Sequence, residues 1–314
     1  MARRARHDPG VLRAAAVGLL AGLAGAGLAR AERAPTTTAT PMGLVIPLYF
    51  HRDYSEWARV AEAAARIPVV AVVSDNYNTP GRKVDPKLAA AAQDLLDAGV
   101  NVMWYVYTRD SSKPCCYCCE DIAVIKQNIQ AVLRYNGTGI FFDNVFGHEH
   151  DTSLQGTHAE KLANYTKIVD TLKGLAPDKK VICNGPGHAA LPEDAPKYMG
   201  MCDWSVWMES WEDNFRLKWD KWCPASSCWK DDFGPERFAA ILHGRGASFA
   251  NMESDLRLAK ERGMRWFYHT DTSTSPRTTT NWWTRSRRST RSRECENNFQ
   301  STDSHEVLFS IYRA

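Results

Sequence analysis

Eight short apolar runs recur between residues 43 and 271, and most gaps between them read as helices. The runs are "GLVIPLYF" (43–50), "PVVAVVS" (68–74), "VNVMWYVYT" (100–108), "GIFFD" (139–143), "KVICN" (180–184), "DWSVWME" (203–209), "AAILHG" (239–244) and "RWFYHTD" (265–271). Continuous apolar runs of this length suit strands covered on both faces, as in a parallel sheet flanked by helices. The intervening stretches "YSEWARVAEAAARI", "PKLAAAAQDLLDAG", "EDIAVIKQNIQAVLRY", "HAEKLANYTKIVDTLKGL" and "MESDLRLAKERG" carry helical patterning. In the first, Trp57, Val60, Ala61 and Ala64 recur at helical spacing, and the second ends at Gly99 as a C-cap should. Strictly alternating strands and helices in this number predict an α/β fold, a (β/α)8 or TIM barrel over residues 43–271. An open doubly wound sheet is the alternative, but no G-x-G-x-x-G loop follows the first strand. The eighth helix should fall in "TSTSPRTTTNWWTRSRRSTRSRECENN", which has no apolar period, so it is expected to be irregular or incomplete. Residues 272–314 read as a disordered Arg/Ser/Thr-rich tail.

Charge is unevenly spread. The segments 1–31 and 272–314 hold 12 of the 39 basic residues and five of the 36 acidic ones, leaving 27 and 31 in 32–271, a net of −4. A mildly acidic body with basic ends argues against nucleic acid as a partner. Arg3, Arg4, Arg6 and Arg13 precede the apolar "AAAVGLLAGLAGAGLA" (14–29), and Ala29-Arg30-Ala31 supplies a small-x-small cleavage site. Residues 1–31 therefore read as a secretory signal peptide, with an uncleaved anchor as the alternative, and 32–42 as a linker. The expected mature product is a secreted monomer without stable membrane association. Eight of the nine cysteines lie between Cys115 and Cys228, a density that suits an oxidising compartment. Asn136-Gly-Thr138 and Asn164-Tyr-Thr166 are N-glycosylation acceptor patterns.

In a barrel of this kind the chemistry sits where strands end. Polar groups at those ends are Tyr49 and His51; Asp75 and Asn76; Tyr105, Tyr107 and Thr108; Asp143 and Asn144; Asn184; Glu209; His243; and His269 with Asp271. Two carboxylates stand out, because each closes a strongly apolar strand. Asp143 follows Phe141 and Phe142, and Glu209 follows Trp204, Val206, Trp207 and Met208. Carboxylates facing each other across a barrel mouth suit glycoside hydrolysis, one as general acid and the other attacking or activating water at the anomeric carbon. Aromatic surroundings would raise the acid's pKa, and aromatic faces cover sugar rings; six tryptophans lie between 204 and 229.

The run "GLVIPLYF" with Trp57, then "PVVAVVSDNYNTPG", "DAGVNVMWYVYT", "GIFFDNV", "VICNGPG" and "CDWSVWMES", resembles spherulation-specific family 4 (spherulin 4-like). The order and spacing hold from Gly43 to Asp271. The resemblance implies a secreted (β/α)8 glycoside hydrolase, a retaining endo-acting enzyme on α-1,4-linked galactosamine or N-acetylgalactosamine polysaccharide. It implies Asp143 as nucleophile and Glu209 as general acid/base, with no metal and no cofactor. It also implies that Tyr49, His51, Asp75, Tyr107 and Asn184 line the substrate groove; Asn144, Trp207 and Asp271 complete the expected binding set. The family's strand-four motif ends Asp-Glu, whereas this chain reads Asp143-Asn144. A non-catalytic carbohydrate-binding or coat protein on the same barrel is therefore the rival reading.

Two clusters add alternatives. "CCYCC" (115–119) is expected to form disulfides to Cys183, Cys202, Cys223 or Cys228, with a zinc site as the other reading. "HEHD" (148–151) would support a metal-dependent hydrolase, with Asp143 as a further ligand.

Overall fold

In a computed structural model, residues 41–48, 53–75, 84–108, 122–145, 158–185, 187, 192–244 and 249–271 are described. The expected signal peptide (1–31), most of the expected linker, the segment 272–314, "CCYCC" and "HEHD" lie outside these residues, as do Tyr49 and His51. The apolar runs form β1 (Gly43–Pro47), β2 (Val69–Val73), β3 (Asn101–Tyr107), β4 (Gly139–Asp143), β5 (Lys180–Asn184), β6 (Trp204–Trp211), β7 (Phe238–Gly244) and β8 (Trp266–Asp271). Each strand pairs in parallel with the next, and β8 returns to β1 through Gly43↔Trp266 and Leu44↔Phe267. The result is a closed eight-stranded barrel in sequence order. The expected eighth helix falls outside the described residues, but ring closure is made without it.

The helices are α1 (Trp57–Ala64), α2 (Pro86–Asp97), α3 (Ile122–Val132), α4 (His158–Leu175), α5 (Ala195–Met201), α6 (Glu212–Leu217), α7 (Trp219–Trp222) and α8 (Phe249–Glu261). Local signals account for their ends. Asp85 accepts a hydrogen bond from the Lys87 N–H at 2.9 Å, Pro86 occupies the first turn of α2, and Gly99 takes φ 84° just beyond its end. The short α5, α6 and α7 carry no clear periodicity and escape a sequence reading. None of the described helices is long and apolar enough to cross a membrane.

From β4 to β8, strand parity divides the core. Phe141, Ile182, Val206, Ala239, Ile241 and Tyr268 share one buried cluster, while Ile140, Phe142, Val181, Cys183, Ala240, Leu242 and Phe267 belong to the cluster packed against the helices. Side chains alternate across a strand, so on β4 and β5 the residues in phase with Phe141 and Ile182 are Asp143 and Asn184. Both face the barrel mouth.

On β6 the parity changes. The pairing with β7 runs Val206↔Ala239 and then Met208↔Ala240, a β-bulge that leaves Trp207 as the extra residue. Beyond it, Glu209 pairs with Ile241 and Trp211 with His243, the inward positions of β7. Without the bulge, Glu209 would be out of phase with Val206 and would face the helices. The loop after β5 fits against this feature. A Cβ at Gly187 would stand 2.1 Å from the Trp207 carbonyl oxygen, and Gly187 has φ 44°, so only glycine serves there.

Trp207 is not a groove residue, contrary to its place in the expected binding set. Its indole is buried, 4.8 Å from Trp229 and 5.7 Å from Phe238 between ring centroids. It follows inward Val206 and so points into the helix layer; the bulge changes the facing only of the residues after it. The cysteines also depart from expectation. Cys183 on β5 bonds Cys202 at the end of α5, and Cys223 bonds Cys228 across the loop after α7. These four pair among themselves, so none is left to bond the 115–119 cluster. Sequence could not rank these pairings because the partners are set by where strand and helix ends meet.

Candidate active site

Asp143 ends β4 with its carboxylate at the barrel mouth, enclosed by donors from three elements. Oδ1 accepts from Asn184 Nδ2 at 2.7 Å; Oδ2 accepts from the Tyr105 hydroxyl at 2.5 Å and from Asn144 Nδ2 at 2.9 Å. The Asp143 carbonyl takes the Thr108 N–H and hydroxyl at 3.0 and 2.6 Å, fixing the backbone against β3. Glu209, half exposed on β6, completes the pair. Its Oε2 accepts from the same Asn184 amide nitrogen at 2.5 Å, and its Oε1 lies 3.3 Å from His243 Nε2.

One primary amide thus uses its two hydrogens on two carboxylates. Contacts of 2.7 and 2.5 Å to a single nitrogen hold the two oxygens within about 5.2 Å of each other, the sum of the two. Such proximity has an electrostatic consequence. The Asp143 carboxyl is pushed up from 3.8 to about 6, first by burial and then by the charge on Glu209. Hydrogen bonds from Tyr105, Asn184 and Asn144 oppose the rise without cancelling it.

Asn144 has φ 56°, and it is the one non-glycine residue with positive φ among the described residues. Asparagine tolerates this left-handed conformation better than most residues. Here it turns the chain out of β4, its carbonyl accepting from the Tyr165 hydroxyl at 2.7 Å while its amide supports Asp143. A glutamate would lose both the conformational fit and the donor, and would add a third negative charge.

The other expected residues are placed less centrally. Tyr107 is the register partner of Asp143 on β3 and is half-buried. Asp75, past the end of β2, accepts the Asp85 N–H at 3.1 Å, which commits one oxygen to holding the chain before α2. Asp271 closes β8 opposite Gly244. Three residues outside the expected set join the site: Tyr105, His243 and Trp211. Tyr105 and His243 are among the strand-end polar groups read from the sequence, though not in the expected binding set. Trp211 stands with its ring 5.9 Å from His243, half-buried at the mouth where Trp207 had been expected. Only the bulge makes it face that way. His269, by contrast, is out of phase with Tyr268 and lies behind β8, away from the pair.

Fold and site together define a (β/α)8 barrel with an amide-bridged carboxylate pair at the C-terminal ends of its strands. The chain belongs to spherulation-specific family 4, whose model matches residues 43–289. No curated protein sequence matches it. Among solved structures, Sph3 from Aspergillus clavatus, determined in complex with GalNAc, is similar at 20% identity with a TM-score of 0.55, covering 76% of this chain and 92% of that one. The β-glucanase SdGluc5_26A from Saccharophagus degradans is similar at 9% identity and TM-score 0.50, covering 77% and 82%. At these identities the likeness is one of fold.

Proposed function

We propose that the chain is a secreted glycoside hydrolase that cleaves a polysaccharide of α-1,4-linked galactosamine or N-acetylgalactosamine internally, with retention of configuration. The single observation that carries this reading is the Asn184 amide joining the Asp143 and Glu209 carboxylates across one mouth. Oxygens no more than about 5.2 Å apart suit a nucleophile and an acid/base; an inverting pair needs roughly 6.5–9.5 Å to admit water between the groups. Family membership and the GalNAc bound to Sph3 support the amino sugar. The two disulfides support export to an oxidising compartment.

In this reading Asp143, ionised and held by three donors, attacks the anomeric carbon while Glu209 gives its proton to the departing glycosidic oxygen. The C1–O bond breaks and a glycosyl ester to Asp143 forms. Glu209, now a carboxylate, removes a proton from water, which attacks C1 and releases Asp143. The roles follow from environment. Asp143 accepts on both oxygens, which favours its charged form; Glu209 stands at the open rim, where leaving group and water arrive. Left-handed Asn144, bonded to Asp143, weighs against the sugar-binding alternative, since the acid is carried on β6 instead. Incubating the purified protein with acetylated and deacetylated galactosamine oligomers should release new reducing ends from at least one. Affinity for both without release would favour a binding protein.

A further inference from the structure

Behind β8, on the opposite side of that strand from the barrel interior, four charged or titratable side chains meet in the core. His269 Nε2 lies 3.2 Å from Glu212 Oε2 and 3.2 Å from Asp255 Oδ2. Arg216 donates to both oxygens of Asp255, from Nε at 2.7 Å and from Nη2 at 2.8 Å, with Glu212 Oε2 3.7 Å away. The His269 and Asp255 side chains are fully buried, and Glu212 is nearly so. Leaving such groups unpaired in a core is expensive, so the cluster is justified only if it holds something in place.

What it holds is α6. Glu212 and Arg216 are one turn apart on this helix, Asp255 is on α8, and His269 is on β8. A helix of six residues is too short to persist alone. Arg262 adds a third tie: its guanidinium donates to the Phe215 and Arg216 carbonyls and lies 4.6 Å from the ring centroids of Phe215 and Trp219. Helix α6 begins directly where β6 stops, and only Ser210 and Trp211 separate Glu212 from Glu209.

We propose that the Glu212–His269–Asp255–Arg216 cluster is a buried strut, with His269 a positioning residue that holds the β6–α6 junction so that Glu209 and Trp211 face the groove. The catalytic part of this rests on the hydrolase reading; the mechanical part does not. Bridging by one ring nitrogen is what makes His269 central, since it ties both the acid on α6 and the acid on α8 to β8. The same atoms could be imagined as metal ligands. Against that, Arg216 already occupies both oxygens of Asp255, and His269 Nδ1 has no partner among the described residues, where a ligating imidazole would have its second nitrogen anchored.

The test compares full-length wild type with His269→Leu and His269→Gln by hydrogen exchange, metal analysis and kinetics. Glutamine's amide can donate to both carboxylates; leucine cannot. The Leu variant should lose amide protection over residues 209–217 before other segments. On galactosamine oligomers, well below its melting temperature, its kcat should fall roughly 10- to 100-fold with KM little changed. The Gln variant should recover most of both. Unchanged protection at 209–217 with a lowered melting temperature would overturn the strut. So would stoichiometric zinc or calcium retained by wild type and lost from the Leu variant. If wild type hydrolyses nothing yet the exchange result holds, the strut stands and the hydrolase reading falls.

Discussion

Asp143 shows most plainly how a residue useful for attack on a sugar works against the fold that carries it. Its pKa is raised from 3.8 to about 6, so the folded protein binds a proton there that the unfolded chain releases. Between those two values stability falls as pH rises, and at neutrality the ionised group costs up to about 3 kcal/mol. Asp143→Asn should therefore melt higher than wild type at pH 7 and lose that advantage below pH 4, while activity falls by roughly 10³-fold or more. Thermal unfolding at the two pH values checks this; a difference independent of pH would contradict it. Tyr105 pulls in the other direction, since its hydroxyl stabilises the carboxylate. Tyr105→Phe should raise the Asp143 pKa further. Because the nucleophile must be ionised, the acid limb of the kcat/KM profile should move to higher pH.

At the scale of elements, one extra residue in β6 decides which side chains meet substrate. The bulge at Trp207 brings Glu209 and Trp211 inward, while Trp207, out of phase with Val206, packs in the core with Trp229 and Phe238. The two tryptophans should therefore behave oppositely. Trp207→Ala should cost about 3–5 kcal/mol of stability through the cavity it leaves. Trp211→Ala should change stability by less than about 1 kcal/mol and weaken oligosaccharide binding instead. Paired urea titrations and calorimetry separate the two. Disulfides join elements in the same region: Cys183–Cys202 ties β5 to the end of α5 and closes a loop 19 residues apart in sequence. Peptide mapping without reduction should recover that pair and Cys223–Cys228. Cys183→Ser should cost on the order of 3 kcal/mol if chain entropy dominates.

At the scale of the molecule, the barrel was legible because its strands are covered on both faces, and nothing but a run of apolar residues is needed to announce such a strand. Asp143 and Asn184 were legible for a related reason: β4 and β5 are regular, so position at the strand end and simple alternation suffice. Glu209 was found by the contrast between a carboxylate and its apolar strand, but its neighbours were misassigned. A bulge among Val206, Trp207 and Met208 leaves no mark when all are apolar, and so the inward turn of Trp211 was not legible. The cysteine pairing and the cluster behind β8 depend on contacts between chain-distant residues, such as His269 with Glu212, that no local pattern encodes. The central claim is that Asp143 and Glu209 act across one pocket as nucleophile and acid/base. Proton NMR of the first-formed anomer, with wild type, Asp143→Asn and Glu209→Gln acting on α-linked galactosamine oligomers, tests it most directly. The account predicts an initial α-anomer from wild type and almost no product from either variant; an initial β-anomer, or equal release by all three, would contradict it.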